Sequence, residues 1–330
     1  MSHPILKETA SPLVSILIPL YNAEEYIGSL LEWCLRQPYK NIEVVVVDDH
    51  STDHSLSIAK RYESDRIHVL TNPSKGAQSA RNYAFAHSTG PFVKFHDADD
   101  YCSDTIISSQ VERMLKDGDE DAIVFSSLHT IDVYGNEGNE RHYNDHDYPN
   151  PIDYISDSLR LYSFHTPHCF LMNRGTVEKV GGWDEQVMIR QDNIFYTKAA
   201  EQASRMLYQE NEYGLWRIHC DQNHMHDLSP EKARNSISTL CDIANTLLSH
   251  RDDAKSRKIA YDYIGQNIYR HFLSYRPILS YIDEVVKQNG LEWTKIKSPR
   301  LGFLYSILGW ENATTLILQW RKFRIRIFHR

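Results

Sequence analysis

The feature that most constrains this chain is an alternation. Within the first hundred residues, short apolar runs of strand character are separated by stretches with helical periodicity. Residues 13–20 (LVSILIPL) read as a buried strand, a short β-rich apolar run stopped by Pro19. Asn22 is placed to cap a helix whose apolar positions, Tyr26, Ile27, Leu30, Leu31, Cys34 and Leu35, recur at helical spacing before Pro38 ends it. Residues 42–47 (IEVVVV) form a second strand that stops at Asp48 and Asp49, and 51–62 suggest another helix. Residues 66–70 read as a third strand, 76–87 as a helix, and 92–95 as a fourth strand ending in His96-Asp97-Ala98-Asp99-Asp100. Such alternation specifies an α/β fold, a doubly wound and mostly parallel sheet flanked by helices, because each crossover helix returns the chain to the same edge. Ligands of such sheets bind beyond the carboxyl ends of the strands. Here that edge is rich in carboxylates, which cost desolvation unless a cation or hydrogen-bond donors are present.

Composition narrows the class. The chain has 330 residues, 41% hydrophobic and 24% charged, enough for one large α/β unit with an appendage. No run of ~20 apolar residues suggests a spanning helix. The opening MSHPILKETASP lacks the basic-then-apolar pattern of a secretory signal. Five scattered cysteines (Cys34, Cys102, Cys169, Cys220, Cys241) form no CxxC pair, which suits a reducing cytosol. The net charge of −8 argues against nucleic acid as a partner, since phosphate contact needs a broad basic surface.

The segments ILIPLYNAEEYI, VVVVDDHSTDHS, NPSKGAQSARNYA, FVKFHDADD and VGGWDEQVMIRQDNIF, in that order and spacing, resemble glycosyltransferase family 2 with its GT-A fold. The likeness covers roughly residues 12 to 200. It implies an inverting enzyme that takes sugar from a nucleotide diphosphate with Mn²⁺ or Mg²⁺ and passes it to a saccharide or lipid-linked saccharide. Helical periodicity dominates from about Ser229, so the chain divides into a glycosyltransferase domain over 1–227, with a nucleotide-binding half at about 12–103 and an acceptor half at about 104–227, and a mainly helical region over 228–330.

Residue by residue, the resemblance implies the following roles. Asp97 and Asp99, one residue apart on a strand end, can share a face, and their hard oxygens suit a divalent cation on a diphosphate. Asp99 is the direct ligand, Asp97 serves ribose or the metal's water shell, Ala98 lies between them, and Asp100 supports them. A solvated, helix-capping turn is the plainer alternative. Asp49 matches the acid that accepts from the uracil imide, so a UDP-sugar is favoured; for Asp48 a capping role is as good. His50 stands where the family commonly has Gly. Pro19, Tyr21 and Asn22 close the other wall of the base pocket, with Tyr21 either stacking or buried in the core. Lys75 and Gly76 approach the nucleotide, Gly76 by close backbone approach. Arg81, beside Asn82, reaches the nucleotide or pairs with a strand-end Asp.

The run Gly181-Gly182-Trp183-Asp184-Glu185 and then Gln191-Asp192-Asn193-Ile194-Phe195 resembles the family's GGFDE and EDxxF blocks, with Gln191 in place of the usual Glu. Asp192 matches the general base that takes the acceptor hydroxyl's proton; a cap of the helix that follows is the plainer alternative, compatible with the first, and at a helix start the residue would keep a low pKa. Trp183 is either a platform for a sugar face or a core residue. Among His219, His224 and His226, His219 is taken first as a metal or diphosphate contact. Two other readings stand beside this one: a nucleotidylyltransferase, which would want a Gly- and Arg-rich loop after the first strand, and an inactive binding or assembly subunit. Beyond the resemblance, Leu316, Trp320, Phe323 and Ile327 repeat at helical spacing among Arg321, Lys322, Arg324, Arg326 and Arg330. That pattern reads as peripheral contact with the inner face of a cytoplasmic membrane, as a contact between copies of the chain in a homo-oligomer, or as packing on its own domain.

Overall fold

A computed structural model describes residues 11–132, 136–138, 144–218, 229–269, 276–295, 312–313 and 316. The described elements run β1 (Val14–Leu20), α1 (Ile27–Arg36), β2 (Ile42–Asp48), α2 (Ser55–Lys60), β3 (Ile67–Thr71), α3 (Ala77–Ala86), β4 (Phe92–Phe95), β5 (Tyr101–Cys102) and α4 (Ile106–Asp117). They continue with β6 (Ile123–Ile131), β7 (Glu137–Gly138), α5 (Pro151–Leu161), β8 (Phe170–Asn173), α6 (Arg174–Val180), α7 (Gln191–Gln202) and β9 (Met206–Arg217). Three helices follow, α8 (Pro230–His250), α9 (Ala254–Asn267) and α10 (Arg276–Gln288). Two compact units result: Met1–Tyr154 with Ser163–Glu185 and Gln191–Cys220, and Ile155–Tyr162 with Gln186–Arg190 and Asp221–Arg330. The second unit takes two short pieces from within the span of the first.

The first unit carries a mixed sheet in the order β3-β2-β1-β4-β8-β6-β9-β5, with β7 on β6. β1 lies centrally and pairs in parallel with β2 and β4, Leu20 opposite Asp48 and Leu17 opposite Phe95. Both faces of β1 and β2 are buried, as continuous apolar runs in a covered parallel sheet require. Alternate residues define the core. Ile16, Ile18, Leu20, Val44 and Val46 pack with Leu30, Leu31 and Trp33 of α1 and Ile107 and Val111 of α4. Each large side chain buried there contributes roughly 1.5–3 kcal/mol.

Three local expectations are corrected. Pro19 does not stop β1; it lies past Leu17, the last residue paired with β4, where its missing N–H costs that ladder no bond. Asn22 does not cap α1, which begins at Ile27 with no side-chain cap. Instead Asn22 takes φ 45° and its Oδ1 accepts from the Thr52 backbone N–H at 2.8 Å. α2 begins at Ser55, four residues later than the periodicity suggests, because Asp53 accepts from the Ser55 N–H at 2.9 Å and holds the chain in a turn.

The second unit is mainly helical among its described residues. Ser229 caps α8 by accepting from the Lys232 N–H, ahead of Pro230 at the first helical position. Ile237, Leu240, Ala244 and Leu247 of α8 are fully buried, as are Ala260 and Ile264 of α9. Among the described residues no helix is long and apolar enough to cross a membrane. Of the tail positions, Leu316 is exposed, while Trp320, Phe323, Ile327 and the arginines around them lie outside the described residues.

Candidate active site

The carboxyl ends of β2, β1 and β4 stand side by side in the sheet, which gathers the loops after them on one edge. After β2, the Asp49 N–H donates to Leu20 O at 2.7 Å. The Asp49 carboxylate accepts from the Gly76 N–H at 2.9 Å through both oxygens and from Asn72 Nδ2 at 2.7 Å. Gly76, at φ 115°, needs the freedom of a residue without Cβ to present that N–H. Asp48 is buried; its Oδ2 accepts from the Ser51 N–H at 3.3 Å, and its Oδ1 has no partner among the described residues. Pro19 is buried, Asn22 and Lys75 are exposed, and Tyr21 is 55% exposed, which removes the core reading for its ring. His50, at φ 64°, keeps the turn that a glycine would make easily.

After β4, Arg81 from α3 is the hub. Its Nη2 donates to Asp97 Oδ1 at 2.5 Å and lies 3.9 Å from Asp192 Oδ1. Its Nη1 reaches Gln191 Oε1 at 3.4 Å, and its guanidinium sits 4.3 Å over the Trp183 ring. Burial alone would raise the Asp97 pKa, but Arg81 overcomes it and holds the carboxyl below its usual value. Arg81 in turn is held above its ordinary value: burial opposes its charge, and Asp97 and Asp192 outweigh it. Of the two compatible roles that the sequence allows Arg81, contact with a ligand and pairing with a strand-end acid, the structure has the pair with Asp97.

Asp192 lies in the first turn of α7. Burial pushes its pKa up to about 6 against the pull of Arg81, with Asp97 and Asp100 adding to the rise. The helix-start argument for a low pKa therefore fails, because desolvation outweighs the dipole. The side chain still exposes 35% of its surface, while its Oδ1 is buried and accepts no hydrogen bond among the described residues. Trp183 is 3% exposed, stacked on Phe195 with ring centroids 4.1 Å apart and edge-on to Phe95. It is a core residue with no face left for a sugar. Asn82 braces that segment, donating to Trp183 O and accepting from the Trp183 N–H, both at 2.8 Å. A Cβ on Gly182 would stand 2.8 Å from Asn82 Oδ1.

Two contributors were not foreseen. Arg217, at the end of β9, donates from its backbone N–H to Asp100 Oδ1 at 2.9 Å and from Nε to Asp99 O at 3.1 Å. The acidic loop after β4 is thus pinned from a strand 117 residues away. His168 Nδ1 lies 3.1 Å from Asp100 Oδ2. Burial pushes the His168 pKa down to about 3 and, with Asp99 and Asp97 nearby, raises Asp100 well above the usual carboxylate range.

Among the described residues no group of three or more His, Cys, Asp or Glu side chains is arranged to hold a metal ion. His219, His224 and His226 lie outside the described residues.

The family model described as "Glycosyl transferase family 2" matches residues 15–181. The chain belongs to that family. Among curated family relatives, it is 42% identical over 31% of its length to an Escherichia coli protein named UDP-Glc:alpha-D-GlcNAc-diphosphoundecaprenol beta-1,3-glucosyltransferase WfaP. A second E. coli protein of the same description, WfgD, is 40% identical over 32% of this chain. The aligned segment spans less than half of those relatives, 41% and 42% of their lengths. The S. aureus TarS 1-349 structure in complex with UDP-GlcNAc matches 94% of this chain and 92% of its own at 20% identity and TM-score 0.67. That likeness shows a shared fold, the GT-A arrangement expected of the family.

Proposed function

We propose that this chain is an inverting glycosyltransferase that moves a sugar from a UDP-sugar to a saccharide or lipid-linked saccharide, with Asp192 as general base. The observation that carries the reading is Arg81, which lies within 3.9 Å of both Asp97, in the acidic loop after β4, and Asp192, in the first turn of α7. One guanidinium thereby joins a nucleotide-facing acid to an acid whose pKa sits near 6, close to what proton abstraction near neutral pH needs. The two E. coli relatives, whose names state a UDP-glucose donor and a diphosphoundecaprenol-linked acceptor, support the choice of substrates. TarS, whose structures hold UDP and UDP-GlcNAc, supports the choice of nucleotide.

In this reading Asp49 accepts from the uracil imide while Gly76 and Asn72 hold its carboxylate in place. Pro19, Tyr21 and Asn22 line the far wall, and Lys75 stands at the rim. Asp99 would hold a Mn²⁺ or Mg²⁺, with Asp97 on the ribose or the metal's water shell, and the cation would supply Lewis-acid neutralisation of charge on the diphosphate. Asp192 takes the acceptor hydroxyl's proton as that oxygen forms its bond to the anomeric carbon. The bond from that carbon to the diphosphate oxygen breaks on the opposite face. A single displacement of this kind inverts the centre. The basic tail would bring such an enzyme to the inner face of a cytoplasmic membrane.

Asp192→Asn tests the assignment. UDP binding should persist, and transfer from UDP-glucose to diphosphoundecaprenol-linked GlcNAc should fall roughly 10²–10⁴-fold. Transfer at the original rate would sink Asp192 as the base.

A further inference from the structure

The loops after β1, β2 and β3 are stitched into one wall. Between the first two, the Asn22 N–H donates to Ser51 Oγ at 3.1 Å and the Ala23 N–H to Ser55 Oγ at 2.7 Å. In return Asn22 Oδ1 and Glu24 Oε2 accept from the N–H groups of Thr52 and His54 at 2.8 and 2.7 Å. The third loop is more lightly anchored, since Pro73, Ser74 and Lys75 are all exposed. Two kinds of contact fasten it to the second loop. The Asp49 carboxylate holds Asn72 and Gly76, and the His50 ring Nε2 lies 2.7 Å from Ser74 O. A carbonyl can only accept, so that ring nitrogen carries the proton.

His50 is an odd residue for this position. Its φ of 64° is one that a β-carbon disfavours and glycine adopts freely. Strained residues persist where the surroundings hold them; Asp49 and Ser51 on either side are hydrogen-bonded, and the His50 ring adds its own bond to Ser74. Asn22, His50 and Gly76 each take a positive φ, one in each of the three loops. Asn22 and Gly76 do so to form bonds that the wall requires. His50 does the same with its side chain.

We propose that His50 is a positioning residue for the nucleotide: its ring ties the loop after β3 to the turn after β2 and so holds the Asp49–Gly76 wall in its binding geometry. The inference rests on the donor site described above and adds to it a residue of this chain that touches no reacting atom. A glycine there would relax the backbone and lose the tie. The two effects therefore separate.

The test compares wild type with His50→Gly and His50→Asn, the second tolerating the left-handed backbone with a side chain too short to reach Ser74. UDP with Mn²⁺ is the probe, and amide hydrogen exchange at Gly76 in the ligand-free protein is the independent readout. Loss of one hydrogen bond predicts UDP binding weaker by roughly three- to tenfold in both variants, with faster Gly76 exchange by a similar factor. The donor KM should rise by the same factor while kcat changes less than about twofold, a split that general destabilisation would not give. Unchanged Gly76 exchange and unchanged UDP affinity in both variants would overturn the proposal. A wild type that binds no UDP would instead overturn the donor reading, and the exchange data would still report whether the tie exists.

Discussion

The two sides of the site are held together by different physics. The wall after β1, β2 and β3 is a set of hydrogen bonds from backbone N–H groups to short polar side chains, each replaceable on its own. The side after β4 turns on one buried cation, Arg81, shared by Asp97, Asp192, Gln191 and the Trp183 ring. A wall of many small bonds loses function gradually. A shared charge fails as a unit, because removing it leaves carboxylates facing each other without compensation.

The largest expected effect tests that contrast. Arg81→Gln should destabilise the fold by about 3 kcal/mol, read as a drop in the denaturant midpoint. It should also raise the apparent pKa of transfer, since Arg81 lowers that of Asp192. A variant as stable as wild type with the same pH profile would break the comparison. Next is the wild-type pH profile itself. Asp192 must be ionised to accept a proton, so transfer should fall as pH drops through about 6, the value to which burial raises it. Below that point the loss should approach tenfold per pH unit. A flat profile between pH 5 and 7 would remove Asp192 from the rate.

Smaller losses should come from single bonds. Asn82→Ala deletes two bonds to the Trp183 backbone and should cost about 1–2 kcal/mol of stability, seen in thermal unfolding. Asp49→Asn keeps the shape but turns one acceptor toward the Gly76 N–H into a donor. UDP binding measured by titration should weaken roughly three- to tenfold, and preference for UDP over CDP should shrink with it. An unaltered UDP preference would move base recognition away from Asp49.

How far the sequence foretold this arrangement differs between the same two sides. β4 was legible to the residue, Phe92–Phe95, because a short apolar strand followed by acids has one sensible place in a parallel sheet. Asp49, Gly76 and Asp97 were legible as motifs. The partners of each, Gly76 N–H for Asp49 and Arg81 for Asp97, were not, since spacing along the chain does not say which donor faces which carboxylate. β9 was missed altogether. Its centre, Glu210-Asn211-Glu212, reads as loop, yet Glu212 is buried among the hydroxyls of Ser103, Thr105 and Ser109. With β9 unseen, Arg217 could not be placed beside Asp99 and Asp100. The pKa of Asp192 was misjudged for a related reason, because desolvation depends on neighbours that only the folded chain supplies.

The account stands on the carboxyl edge of β1, β2 and β4 being where a nucleotide diphosphate and a divalent cation bind together. Titrating UDP into the protein with and without Mn²⁺, in wild type and Asp99→Ala, measures that directly. The account predicts saturable binding that strengthens with Mn²⁺ in wild type and loses that dependence in the variant. Absent UDP binding, or the same Mn²⁺ dependence in both proteins, would contradict it.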